Sequence, residues 1–114
     1  MRLFSRTKAD FRLPKKFDGL VEAVRYSPDS RLLAEVRIYE RRGSTWSDHI
    51  VITRDELVRR IKAGKIFVIG TRRLYLASTF EVHARIHLIE VDGKEILTST
   101  SSPVRDDLIE APLF

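Results

Sequence analysis

The sequence predicts a mainly β fold, α+β by content: a small, strongly bent antiparallel sheet or partly open barrel of five or six strands, with one short helix at about residues 54–63 and a basic N-terminal arm. Three observations lead there. Alternating apolar and polar residues, the period of a half-buried strand, dominate from Leu20 to Thr98. A single segment, 53–64, carries both the start and the stop signals of a helix. The first sixteen residues hold six cations against Asp10 alone, a net +5, while the remainder balances fifteen cations with fifteen anions. The chain divides accordingly into an arm (1–16), one β-rich domain (17–100) and a tail (101–114). Its 114 residues suffice for one core without disulfide staples.

The arm alternates cations with Leu3, Phe4, Phe11 and Leu13, which suits either an amphipathic helix ending before Pro14 or an extended segment pinned by its aromatics. Residues 20–26 and 32–41 read as two strands flanking Ser27-Pro28-Asp29-Ser30-Arg31, where proline presets a turn and Asp and Ser bond their own backbone. Alternation in the second places Leu32, Ala34, Val36 and Ile38 on one face and Glu35, Arg37, Tyr39 and Arg41 on the other. A loop carries Trp46, and 49–52 form a short apolar strand. Thr53-Arg54-Asp55-Glu56 is a capping box, with Leu57, Val58 and Ile61 as the apolar stripe and Gly64 as the left-handed stop. Strand 65–69 is apolar on both sides and so central; Gly70-Thr71-Arg72-Arg73 then turns into Leu74-Tyr75-Leu76. Residues 80–91 form the longest strand, burying Phe80, Val82, Ala84, Ile86 and Leu88. Asp92-Gly93 is a hairpin turn returning through 94–100. The tail either forms one helical turn after Pro103, docking Val104 and Leu108, or runs over the surface.

Several chemistries drop out at this level. Without cysteine there are no disulfides, thiolate nucleophiles or cysteine-ligated metals. The sequence has no run of roughly 20 apolar residues to cross a bilayer and no apolar stretch typical of a secretory signal, so a cytoplasmic location is expected. His83 and His87 sit on a strand, where four residues span about 13 Å, too far to share one metal ion. Ser47-Asp48-His49 brings triad residue types together, but neighbours on a strand point to opposite faces and a triad must converge. No nucleophile elbow or glycine-rich phosphate loop is present. The expectation is a protein with no catalytic residues, no metal and no cofactor.

What remains is binding. On the arm the candidates are Arg2, Phe4, Arg6, Lys8, Phe11, Arg12, Lys15 and Lys16. On the strand face and loops they are Arg37, Tyr39, Arg41, Trp46, Arg72, Arg73 and Tyr75. Trp46 either plugs the end of the barrel or stands ready to stack on a ligand. The first reading is a non-catalytic binding or assembly module. Its arm docks on an acidic protein surface, or on the acidic C-terminal third of a second copy in a homodimer. The alternative is sequence-tolerant binding of RNA or single-stranded DNA by the arm and the Arg/Tyr face, because flat rings and guanidinium suit bases and phosphates. Glu35 and Glu40 interrupt that positive field, and ordinary cross-strand pairs produce the same composition. A small ligand beside His49, Trp46 and Tyr75, or an arm lying on anionic lipid, is compatible but demanded by no constellation.

Overall fold

The computed structural model describes residues 13–29, 32–72, 80–99, 106, 108 and 111–114. Eight strands and one helix are found among them: β1 (Gly19–Tyr26), β2 (Leu33–Arg42), β3 (Thr45–Trp46), β4 (Ile50–Thr53), α1 (Arg54–Lys62), β5 (Phe67–Arg72), β6 (Phe80–Arg85), β7 (His87–Val91) and β8 (Lys94–Thr98). The fold is mainly β with one short helix, as expected. The arm over residues 1–12, the strand 74–76 and the turn after Pro103 lie outside the described residues.

Two features of the expected architecture are corrected. The sheet is mixed rather than antiparallel, and it does not close into a barrel. Its order is β3-β2-β1-β5-β6, with β4 also on β2, and β1 and β5 run parallel. The reason is α1. It leads from β4, on the far side of β2, across one face of the sheet to β5 beyond β1, and a helical crossover is the usual way to bring strands in parallel. Closure fails because the long strand expected over 80–91 breaks at Ile86. That residue is buried and donates its amide to the Phe67 carbonyl at 3.0 Å, after which β7 pairs with β8 as a separate two-stranded sheet.

Three bulges decide which side chains face where. One extra residue in a strand reverses its alternation beyond that point. In β1 the register slips between Val21 and Ala23, leaving Glu22 as the extra residue. In β2 it slips at Ala34, between the Glu35 and Leu33 pairings. Leu33 is therefore buried and Leu32 is 53% exposed, the reverse of uninterrupted alternation. In β6 it slips at His83, so Phe80 and Val82 pack on one side of the sheet and Ala84 and Ile86 on the other. Gly70 lies opposite this bulge, inside β5 rather than in the expected turn, and a Cβ there would strike the Glu81 carbonyl.

Local signals hold where they were strongest. The Thr53 hydroxyl accepts from the Glu56 amide at 3.2 Å, which forms one half of the capping box; in place of the reciprocal half, the Glu56 carboxylate pairs with Arg59 and Arg60. At the other end Gly64 adopts φ +98°, with Gly64 N–H to Ile61 O and Lys65 N–H to Arg60 O closing a Schellman motif. Asp92 and Gly93 both take positive φ, 50° and 79°, as a type I′ hairpin turn requires. Phe67, Val68 and Ile69 are buried in a strand flanked on both sides, the predicted central position.

The main core lies on the α1 side of the sheet. Val21, Val24, Val36, Ile38, Phe67 and Ile69 from the strands meet Leu57 and Val58 from α1, Leu97 from the hairpin, and Leu108 and Ala111 from the tail. Asp106 clamps this side, accepting from Arg54 Nε at 2.6 Å, Arg54 Nη2 at 3.2 Å and the Leu97 amide at 2.9 Å. Its hydrogen bond to the Arg54 guanidinium, with the charges of Asp106, Asp55 and Glu95, shifts the Arg54 pKa further upward against the opposing effect of burial, and Arg54 Nη2 also donates to the Glu95 carbonyl at 2.6 Å. The opposite face carries a smaller cluster and, among the described residues, is the more open of the two.

Candidate binding face of arginines and aromatic rings

Residues adjacent along a strand point to opposite faces, so the neighbours of the core residues build the second face. Leu20, Tyr39 and Val68 are its buried floor, with Phe17, Trp46, Phe80 and Val82 packed against them. The rings come from four separate stretches of chain. Trp46 meets Phe80 edge-on at 4.8 Å between centroids and Phe17 at 5.5 Å; Tyr39 meets Phe80 at 5.5 Å. Trp46 thus packs half-buried on the open face of a sheet, and no barrel end exists for it to plug.

Guanidinium groups lie over these rings. Arg41 sits 4.7 Å above Trp46 and donates to the Phe17 carbonyl at 3.0 Å. Arg72 sits 5.2 Å from the Tyr39 ring and 6.0 Å from that of Phe80. Arg37 donates to Glu22 at 2.7 Å and lies 5.1 Å from the Phe114 ring. A cation over a π-face gains roughly 0.5–1 kcal/mol at exposed positions, enough to bias each guanidinium toward its ring.

Glu22 is the polar hub of the face. Two residues after Leu20 and so on the same side of β1, it accepts from Arg37, and His49 Nδ1 lies 3.6 Å from the same carboxylate oxygen. Burial raises the Tyr39 pKa above its ordinary value, the charge of Glu22 and its hydrogen bond to the phenol raise it further, and Arg72 pulls it back. Tyr39 therefore stays a neutral phenol between a carboxylate and a guanidinium. Arg25, Arg37, Arg41, Arg72 and Arg85 face Glu22 and Glu35 here, so the described part of this face keeps a positive excess.

Of the residues singled out in the sequence, the structure brings Arg37, Tyr39, Arg41, Trp46 and Arg72 together on this face. Lys15 and Lys16 are exposed just before Phe17. Arg2, Phe4, Arg6, Lys8, Phe11, Arg12, Arg73 and Tyr75 lie outside the described residues. Sequence reasoning missed Phe17, Glu22, Phe80 and Phe114 as members. Phe17 follows the basic arm directly and was legible as an anchor; Glu22 shares the Leu20 side of β1 by simple alternation, but its partners Arg37 and His49 are brought to it only by strand pairing.

Two other sequence clusters resolve simply. Ser47 organises its loop, its hydroxyl accepting from the Glu40 amide at 2.9 Å. In the acidic third, Asp106 is engaged by Arg54 and Glu95 by Lys62. Among the described residues no helix is long and apolar enough to cross a membrane.

No protein-family model, curated protein or solved structure shows significant similarity to this chain.

Proposed function

We propose that this protein is a binding module for single-stranded nucleic acid, RNA or DNA, gripped with little sequence preference on the arginine and aromatic face. The observation that carries the reading is the convergence of Arg37, Tyr39, Arg41, Trp46 and Arg72 on one side of the sheet, with the Arg41 guanidinium carbon 4.7 Å from the Trp46 centroid and that of Arg72 5.2 Å from the Tyr39 centroid. Splayed bases stack on aromatic side chains and on guanidinium planes alike, and every base offers a π-face. The outward N–H edges of the same arginines suit phosphate oxygens. Lys15, Lys16 and the basic stretch before them extend the positive field beyond the face.

A docking module for an acidic protein, or for a second copy, uses the same arginines and the arm. What favours it is the +5 concentrated in residues 1–16. Its self-docking form is weakened because two carboxylates of the intended acidic acceptor, Glu95 and Asp106, are already paired within the chain.

Anisotropy of an end-labelled twelve-nucleotide single strand separates the readings. The expected result is binding at low salt that declines as log K against log salt with a slope of roughly −0.7 per phosphate contacted. Replacing both Arg41 and Arg72 by Ala removes about 1–3 kcal/mol for each stacked base that is lost. No anisotropy change at low salt rejects nucleic acid and returns the reading to an acidic protein partner. Sedimentation of the full chain beside a chain starting at Phe17 then tests the self-docking form, which equal monomeric masses exclude.

A further inference from the structure

β1 has two kinds of neighbour on its β5 side. Over Gly19–Val21 it pairs with β5 in parallel. Beyond Val21, among the described residues, β5 gives way and the chain's own residues 112–114 take its place. Val24 donates to the Pro112 carbonyl at 2.8 Å, Phe114 donates to the Val24 carbonyl at 3.0 Å, and Leu113 bridges Val24 in parallel. The Phe114 ring is held by two cations, with Arg25 at 4.4 Å and Arg37 at 5.1 Å from its centroid, and Arg25 Nε reaches the Phe114 carbonyl at 3.3 Å. Leu113 points away and is 72% exposed. Backbone pairing at a strand edge combined with a fitted slot for one side chain is the recognition mode of peptide-binding sheet edges.

We propose that the outer edge of β1 over Glu22–Tyr26, with the Arg25/Arg37 slot, is a peptide-binding site for an extended segment carrying phenylalanine, filled here in cis by residues 112–114 and open to the same segment of a second copy. The identity of the trans occupant follows from the contacts. A second copy supplies the same backbone groups and the same ring, so exchange remakes every bond at the edge, which makes strand exchange a low-cost route to a dimer. The slot needs an aromatic ring and two backbone hydrogen bonds and makes no demand on the exposed Leu113 side chain. This inference stands independently of the nucleic-acid reading.

The test uses a fluorescent, end-blocked Ala-Pro-Leu-Phe peptide and the full-length chain. In the wild-type chain the resident segment competes at an effective concentration in the millimolar range. Phe114→Ala removes that competitor, so the peptide binds the variant at least tenfold more tightly. Adding Arg25→Ala abolishes the gain, whereas the Leu113→Ser variant binds the peptide as weakly as the wild-type chain does. On the wild-type chain itself, excess peptide shifts the amide resonances of Val24 and Phe114, a readout that does not depend on how the variants fold. Sedimentation at rising concentration shows dimers of the wild-type chain that Phe114→Ala lacks. Equal peptide affinity for wild type and Phe114→Ala, or unmoved Val24 and Phe114 resonances, overturns the site. Peptide capture with a wild-type chain that stays monomeric overturns the second copy as occupant.

Discussion

Tyr39 shows how one side chain serves both packing and polarity on the open face. Its ring packs with Leu20 and Val68 while its hydroxyl meets Glu22 and Arg72. Because its pKa is raised in the folded chain, the folded form keeps a proton that the unfolded form releases from about pH 10 upward. The stability from this residue is therefore fully present below pH 10 and is lost as pH rises through the folded value. Urea midpoints measured between pH 8 and 11 are expected to fall less steeply for Tyr39→Phe than for the wild-type chain; parallel curves contradict the assignment. His49 was read in the sequence beside Ser47 and Asp48, and with Trp46 and Tyr75 around a small ligand. Its neighbour of consequence, Glu22, is 27 positions away and comes within 3.6 Å only through sheet pairing. Contacts of that kind are not encoded locally.

At the scale of elements, legibility follows the range of the interactions that specify each one. The cap at Thr53, the stop at Gly64 and the Asp92-Gly93 turn are each set within about four residues, and all three stand where the sequence placed them. The bulges at Glu22, Ala34 and His83 are set by the partner strand, and the sequence marks none of them. They matter because they redistribute side chains: without the slip at His83, Phe80 and Ala84 would share a face. Gly70 sits opposite that slip, where the Glu81 carbonyl leaves no room for a methyl group. Gly70→Ala is expected to destabilise the fold by about 2 kcal/mol, in the range for overpacked sites, and chemical denaturation measures it. An unchanged midpoint refutes the bulge geometry.

On the scale of the whole molecule, the parallel β1–β5 pairing separates a core face from an open one. The helix, Leu97 of the hairpin, and Leu108 and Ala111 of the tail pack on the α1 side, and among the described residues the arginines and rings of the other side have only Phe114 of the tail set against them. The sequence showed the separate Arg/Tyr segments but not their union, since strand order is a long-range property. That union is what turns scattered cations into a surface. Trp46 is the sole tryptophan and packs within this ring cluster, with Arg41 over it. The most direct measurement is therefore Trp46 fluorescence during titration with a single-stranded oligonucleotide and, separately, with inorganic polyphosphate of equal charge. Bases stacking on the face are expected to quench Trp46 strongly, with polyphosphate giving a much smaller change at the same occupancy. Equal responses to both polyanions, or nucleotide binding that leaves Trp46 emission unmoved, contradict the account.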